Sequence, residues 1–474
     1  MAAAVSFIPL PITPTSLPFA TAWLPEEALG VDLAAHGYVE EEYLVPGAAN
    51  VYEYGEGWEL KVRNADVSFV TRLLVRRPAD ASAFSGVVLI EPLHPAQENA
   101  LGWMNMHPYL MRSGHAWAGL SCQPSNIDVM RRWDPARYDT LSFVDHGLGW
   151  DAMARVAQCL KEGVPGNPLR GLDVRRIYMS GGSYTGSWQR NFLADGFHDR
   201  ARMADGSHVI DGYLIMISSG IFARTGFLPP NGQSGNLPVS DPRRVMQPHG
   251  VPVIEMLSEF EAETNLHGRR PDSDAPEDRF RLVEIAGASH SSGPPSTLRQ
   301  IVPAQLAARG LPVPFTPPPG SIDPANEFPY GYFAIAALDN IHRWVSDGTP
   351  PPRAERLQVN TDRNAGAHGI SPEALPIDRD DLGNALSGLR SPYVDTPFAR
   401  YYPHTTRNEH QVEQASDLRG SQHVFDADTL RRLHGTPEAY VAKVAAQVDA
   451  LVQERWLLAP EGELIVEQAR GLRF

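Results

Sequence analysis

Apolar positions follow two different patterns along the chain. Residues 39–45 and 59–77 carry short β-branched and apolar runs with polar punctuation, as expected of antiparallel edge strands leading into a larger sheet. From Gly86 the pattern changes. Val87-Val88-Leu89-Ile90 is a continuous apolar run, the form taken by a strand buried on both faces, and residues 103–111 then read as a helix. Ala116-Trp117-Ala118-Gly119-Leu120 predicts the next strand, and residues 151–161 an amphipathic helix. A strand led by Arg176-Ile177-Tyr178-Met179 follows, then strands at 213–217, 252–257 and 281–285, and a strong helical pattern at 332–345. Strands alternating with helices predict an α/β fold: a mostly parallel central sheet, helices on both faces, right-handed crossovers, antiparallel N-terminal strands, and a site at the strands' C-terminal ends.

Residues 1–350 are expected to form this sheet domain, with proline-rich insertions at about 220–250 and 291–331 that read as a lid. Beyond Asp347-Gly348-Thr349-Pro350-Pro351-Pro352 the stretch to about residue 423 is rich in Asp, Arg, Pro and Gly and only weakly periodic. Residues 351–474 therefore read as a C-terminal extension wrapped on the same domain. Within it a helix is predicted at 436–455, with Thr436 as N-cap, Pro437 at the first position and Glu438 in the first turn.

Composition narrows the function classes. A hydrophobic content of 42% and a charged content of 20% are those of an ordinary globular protein. The net charge of −15 repels nucleic acid and anionic membrane surfaces, so neither partner is expected. Residues 1–24 are apolar but lack a basic region and are broken by Pro9, Pro11, Pro14 and Pro18, which argues against a signal peptide. A cytoplasmic location follows as the expectation. The two cysteines, Cys122 and Cys159, read as core thiols, and the 16 histidines contain no His-Glu-x-x-His pair. Neither a metal nor a cofactor is expected.

The candidate chemistry centres on Ser180-Gly181-Gly182-Ser183-Tyr184-Thr185-Gly186, which reads as a strand end, a sharp turn and the approach to a helix over 187–197. A serine on such a turn sits in a strained backbone conformation that small residues two positions to either side must permit. Gly181 and Thr185 fill those places. Thr185 brings a branched Cβ where glycine is usual, and Gly186 partly compensates. A serine hydroxyl needs a base held by a carboxylate. Ile285-Ala286-Gly287-Ala288-Ser289-His290 places His290 just past the last predicted strand. The acid is sought after the 252–257 strand, in Ser258-Glu259-Phe260-Glu261-Ala262-Glu263. Glu261 stands about four residues beyond the strand end and Glu259 is its rival, while Glu263 reads as a solvated surface charge. For an oxyanion, Tyr184 offers one backbone N–H, and Leu93 or His94 the second, because Pro92 and Pro95 have none. Trp103, Trp188 and Phe260 are candidate walls of a substrate site.

Several motifs occur together: Arg72-Leu73-Leu74-Val75-Arg76-Arg77-Pro78-Ala79-Asp80, Gly114-His115-Ala116-Trp117-Ala118-Gly119-Leu120-Ser121, Asp134-Pro135-Ala136-Arg137-Tyr138 and the Gly182-Ser183-Tyr184-Thr185-Gly186 turn. With Ala286-Gly287-Ala288-Ser289-His290, Gly383-Asn384-Ala385-Leu386-Ser387-Gly388-Leu389-Arg390 and the C-terminal helix, the chain resembles a family of large, serine esterase-like bacterial α/β-hydrolase-domain proteins over nearly its whole length. Where that family usually has Gln after the serine and Asp at the end of the acid loop, this chain has Tyr184 and, by position, Glu261. The resemblance implies an α/β-hydrolase fold and a carboxylic-ester hydrolase acting on a small-molecule ester through Ser183, His290 and a glutamate. An acyltransferase or amidase using the same residues, and a non-catalytic binding protein on this fold, are the alternatives.

Overall fold

Two long segments near the N-terminus pair along their whole length, and the buried sheet is built outward from them. The computed structural model describes residues 5–55, 59–218, 241–264, 266–313, 324–363, 375–408, 411–413 and 418–474. Its chain divides into two compact units, one of residues 1–252, 276–278 and 296–314, the other of residues 253–275, 279–295 and 315–474.

In the first unit β1 (Ile8–Leu10), β2 (Tyr38–Tyr54) and β3 (Leu60–Pro78) run antiparallel, with β2 paired to β3 from Tyr38 opposite Pro78 to Tyr54 opposite Leu60 and the register shifting on either side of Val51. Then come β4 (Val87–Pro92), β5 (Ala116–Leu120), β6 (Arg176–Gly182) and β7 (Gly212–Met216), in which every residue except Arg176 is buried. Burial on both faces is what their unbroken apolar runs require. The order is β1-β2-β3-β5-β4-β6-β7. β5 joins β3 antiparallel, while β4, β6 and β7 add in parallel. Helix α1 (Leu101–Arg112) links β4 to β5, α2 (Pro124–Trp133) and α3 (Gly149–Glu162) lie between β5 and β6, and α4 (Tyr184–Ala194) links β6 to β7. The chain leaves β4 toward β5 and returns to β6 on β4's other side. The two neighbours therefore form the point at which strand order reverses, and the crevice beyond their C-terminal ends is where this architecture binds ligands.

In the second unit β8 (Val253–Ser258) runs parallel to β9 (Asp278–Ile285), from Val253 opposite Phe280 to Ser258 opposite Ile285. The short α5 (Glu259–Thr264) follows β8 directly, and the Tyr330 hydroxyl at the start of α6 (Tyr330–Ser346) donates to the Met256 carbonyl at 3.0 Å. The tail after residue 350 belongs to this unit and forms no body of its own. It ends in α7 (Pro437–Gln453), where the Thr436 hydroxyl accepts from the Ala439 N–H at 3.2 Å, and α8 (Ala459–Gly471). Helices α2 and α8 have no counterpart in the sequence reading. Each has a proline in its first two positions, Pro124 and Pro460, a residue that starts helices but interrupts an apolar pattern.

Among the described residues no helix is long and apolar enough to cross a membrane. Cys122 and Cys159 are free and buried. The insertions expected at 220–250 and 291–331 lie partly outside the described residues, at 219–240 and 314–323.

Candidate active site

Strand β6 ends at Gly182 and α4 begins at Tyr184, so a single residue, Ser183, makes the turn, with φ 56° and ψ −123°. A side chain with a Cβ is strained in that region, and such strain persists only where the surroundings enforce it. Here they do. The Ser183 N–H donates to the Met216 carbonyl at 3.1 Å, and the Ser183 carbonyl accepts from the Ser187 N–H at 3.0 Å. A Cβ on Gly181 would lie 2.6 Å from Gln189 Nε2, and one on Gly186 2.6 Å from the Met216 carbonyl oxygen. Helix α4 can approach the strands so closely only because both lack one. The Thr185 hydroxyl donates to the Gly182 carbonyl at 2.9 Å and accepts from the Gly182 N–H at 3.0 Å, so this side chain ties the turn together where a glycine would only fit it. Because α4 starts at Tyr184 and not at residue 187, its unpaired N-terminal N–H groups flank Ser183 directly. Of the neighbouring serines, Ser180 is buried in the strand and the Ser187 hydroxyl donates to the Ser218 carbonyl.

The Tyr184 N–H is one of those N-terminal donors. Its phenol donates to Gln123 Oε1 at 3.3 Å, and burial pushes it up to about 12. The two N–H groups expected from the loop after β4 are already committed: Leu93 donates to the Leu120 carbonyl at 2.9 Å and His94 to the Asn99 carbonyl at 3.1 Å. This corrects the sequence reading. The chain continues in bridge pairing beyond Pro92, with His94 opposite Asn99, and that pairing consumes the donors. Two of the expected wall residues are also interior. Trp188 is 1% exposed and stacks on Trp150 with ring centroids 4.4 Å apart. Trp103 is equally buried between the Trp117 ring, at 5.7 Å, and the Arg76 guanidinium, at 4.7 Å.

In the second unit three glutamates of α5 take three different partners. Glu261, fully buried, accepts from the Ser258 N–H at 3.1 Å and the Ser258 hydroxyl at 2.5 Å, and its other oxygen meets His290 Nδ1. Burial alone would raise its carboxyl, but the adjoining His290 and the Ser258 donors more than offset this and hold it below the ordinary range. With Nδ1–H donating to the carboxylate, His290 keeps its lone pair on Nε2. Glu259 instead accepts from the Gly287 N–H at 2.6 Å and from Arg379 Nη2 at 2.7 Å, and burial pushes its carboxyl up against the pull of Arg379. Glu263 is no surface charge. It is buried, and it meets His404 Nε2 at 2.7 Å. Phe260 is half-buried, its ring 5.8 Å from that of His290 and 5.3 Å from that of His404.

One group of metal-capable side chains comes together among the described residues: His198, Asp199 and His208, in the first unit. Both ring nitrogens of His198 are hydrogen-bonded, to the Tyr213 hydroxyl at 2.9 Å and the His249 carbonyl at 3.2 Å. The His198 and His208 rings stack 4.1 Å apart at 7°. The group is a packed histidine stack.

A family model described as alpha/beta hydrolase domain matches residues 7–467. A search of curated proteins found no match. Similar solved structures include a thermostable esterase from Pseudomonas putida ECU1011, at 14% identity over 62% of this chain and 89% of that one, with a TM-score of 0.33. Others are Est1E from Butyrivibrio proteoclasticus (13%, 55% and 98%, 0.30) and Thermogutta terrifontis esterase 2 (14%, 54% and 94%, 0.31).

Proposed function

The chain belongs to the alpha/beta hydrolase domain family, and on that fold we propose that it is a serine hydrolase of carboxylic esters, with Ser183 as nucleophile, His290 as base and Glu261 as the acid that holds His290. The observation that carries the reading is the backbone of Ser183, the one residue between β6 and α4, held at φ 56°. Ser183 combines φ 56° with ψ −123°, a strained pairing that persists only where the surroundings enforce it, and a turn of this kind is the one that presents a nucleophilic serine at the end of an α/β-hydrolase strand. The hydrogen-bonded Glu261–His290 pair adds support, since a carboxylate on Nδ1 fixes the tautomer whose Nε2 accepts a proton.

In the proposed cycle Ser183 Oγ attacks the ester carbonyl as His290 Nε2 takes its proton. The Tyr184 N–H stabilises the developing oxyanion, and His290 then protonates the departing alcohol. Water, activated by the same imidazole, hydrolyses the acyl-enzyme. Glu261 orients His290 and stabilises its protonated form without taking up the proton. The acidic character of the chain makes neutral esters the better substrates. The test is a fluorophosphonate probe followed by intact mass and peptide mapping, alongside turnover of short-chain p-nitrophenyl esters. Labelling at Ser183, with label and turnover both lost in a folded Ser183→Ala variant, is the expected result. Undiminished turnover in that variant removes the proposal.

A further inference from the structure

Helix α5 carries a second carboxylate–histidine pair two residues beyond the first, and the proposed cycle makes no use of it. Glu263 Oε2 accepts from His404 Nε2 at 2.7 Å, and both residues are buried. Glu263 Oε1 and His404 Nδ1 find no hydrogen-bond partner among the described residues. A buried pair joined by one bond, with a polar atom left unpaired on each side, adds little to stability, and an apolar pair of similar size would hold the helix at least as well. The tail that brings His404 here is itself fixed to the loop of His290. The Ser421 hydroxyl donates to the His404 carbonyl at 2.8 Å, the Ser291 N–H donates to the Leu418 carbonyl at 2.9 Å, and a Cβ on Gly420 would lie 2.6 Å from Ser289 Cβ.

The ring of Phe260 packs on both histidines. Its centroid is 5.8 Å from that of His290, with the planes at 68°, and 5.3 Å from that of His404, with the planes at 60°. The Phe260 N–H donates at 3.2 Å to the Ser258 hydroxyl, the same hydroxyl that donates to Glu261, so the aromatic side chain and the acid leave one anchored turn. A hydrogen bond at Nδ1 fixes the distance of an imidazole from its carboxylate but leaves the ring plane free to turn about that bond, and an aromatic ring packed against it removes this freedom. Phe260 is only half-buried, and His404, fixed by Glu263, is the ring that backs it. Resting on the reading of His290 as base, we propose that His404 is a positioning residue for the reaction: held by Glu263, it keeps Phe260 against His290 and thereby keeps the imidazole plane aligned for proton transfer. His404 itself touches no substrate and moves no proton. The tail after residue 350 thus contributes a side chain to the geometry of the base.

The test measures kcat and KM on p-nitrophenyl acetate, per folded protein as judged by urea unfolding, for His404→Ala, Phe260→Leu and the double variant. Each single variant is expected to lose kcat on the order of 10–10²-fold, the scale of a small misplacement of a catalytic group, with KM changed by less than about threefold. Because both act through one contact, the double variant should lie within about threefold of the poorer single one, where independent effects would multiply. Labelling of Ser183 by a fluorophosphonate, which needs the same base, should slow in step with kcat. Glu263→Ala, which releases His404, should fall like His404→Ala, and Glu263→Gln, which keeps an acceptor for Nε2, should recover at least about fivefold of that loss. A kcat within about threefold of the unaltered chain for either single variant, a change confined to KM, losses that multiply in the double variant, or a Glu263→Gln no better than Glu263→Ala overturns the assignment. Should His404→Ala not fold, Glu263→Ala takes its place beside Phe260→Leu and is read by the same criteria. Ser183→Ala and His290→Ala separate the two ideas. Turnover that survives either removes the reading of nucleophile and base, whereas turnover that needs both but ignores Phe260 and His404 removes only the present proposal.

Discussion

Glu259, Glu261 and Glu263 alternate along one short helix, and exchanging the first two by charge-neutral isosteres should separate catalysis from stability. Glu261→Gln would face His290 Nδ1 with an amide and release the tautomer, so kcat is expected to fall on the order of 10⁴-fold with the protein folded. Glu259→Gln would instead leave the Arg379 guanidinium buried without its counter-charge. The expected cost is about 3–5 kcal/mol in urea unfolding, with kcat of the folded fraction little changed. A reversed pattern of the two variants would move the acid to Glu259. The depressed carboxyl of Glu261 also fixes a sign. Its folded value lies below the unfolded value of about 4.3, so its stabilising contribution is complete above that pH and is lost as pH falls through the folded value. Stability of the unaltered chain should therefore decline more steeply below about pH 4.3 than that of Glu261→Gln, and parallel curves would refute the linkage. Counting from the strand end picks the glutamate that meets His290, because the start of α5 fixes which way each successive side chain turns. The burial of Glu263 is not legible that way. Its partner His404 lies 141 residues along the chain, and Arg379 lies 120 residues from Glu259.

Helix α1 shows how one strand residue organises the loop ahead of a helix. Its N-cap, Ala100, has no capping side chain, and the work falls to Glu91 at the end of β4. That carboxylate accepts from the N–H groups of Gly102 at 2.6 Å and Trp103 at 3.1 Å and from Trp117 Nε1 at 2.9 Å. A Cβ on Gly102 would lie 2.8 Å from Glu91 Oε2, so the helix start is fitted to this side chain. Glu91→Ala leaves three buried donors unsatisfied, and a loss of about 2–4 kcal/mol is expected, read from urea midpoints. A loss below about 0.5 kcal/mol would mean that water replaces the carboxylate there. The strands and helices around this loop are legible because burial on both faces writes contiguous apolar runs and helices write a 3.6-residue period. The loop itself writes neither. It bridges His94 to Asn99 and holds Gln97 and Glu98 at φ 62° and 59°, with Arg72 and the Ser121 hydroxyl bonded to Glu98 and Asn126 to the His94 carbonyl, partners from elsewhere in the fold, so the fate of its N–H groups is invisible in the sequence. Trp103 and Trp188 mislead for a related reason, since an aromatic side chain near a strand end has the same sequence signature whether it packs inward or lines a cleft.

The tail after residue 350 reads from composition as a wrapping extension, but its bonds make it part of the support for the Glu261–His290 pair. Within the second unit Arg281 donates to the Pro351 carbonyl at 2.9 Å, the Leu357 N–H to Glu284 at 2.8 Å and the Ala286 N–H to the Leu389 carbonyl at 3.1 Å. The Ser289 hydroxyl, next to His290, donates to the Arg419 carbonyl at 2.6 Å. The Arg379–Glu259 pair is the most exacting of these ties because both partners are buried charges, and it yields a test whose sign depends on pH. In the intact chain burial already pushes the Glu259 carboxyl up and Arg379 counteracts it. Arg379→Met keeps an apolar side chain in place and removes the counteracting charge, so the folded-state value rises further above the unfolded value of about 4.3. For a carboxyl raised on folding, the native state holds its proton to higher pH than the unfolded chain does, and stability is lost as pH climbs from the unfolded toward the folded value. The destabilisation by Arg379→Met should accordingly be smaller at pH 5 than at pH 8, measured by urea unfolding at both. Equal losses would mean that Arg379 holds the tail through its bonds to the Gly383 and Tyr401 carbonyls and that the charge of Glu259 plays no part.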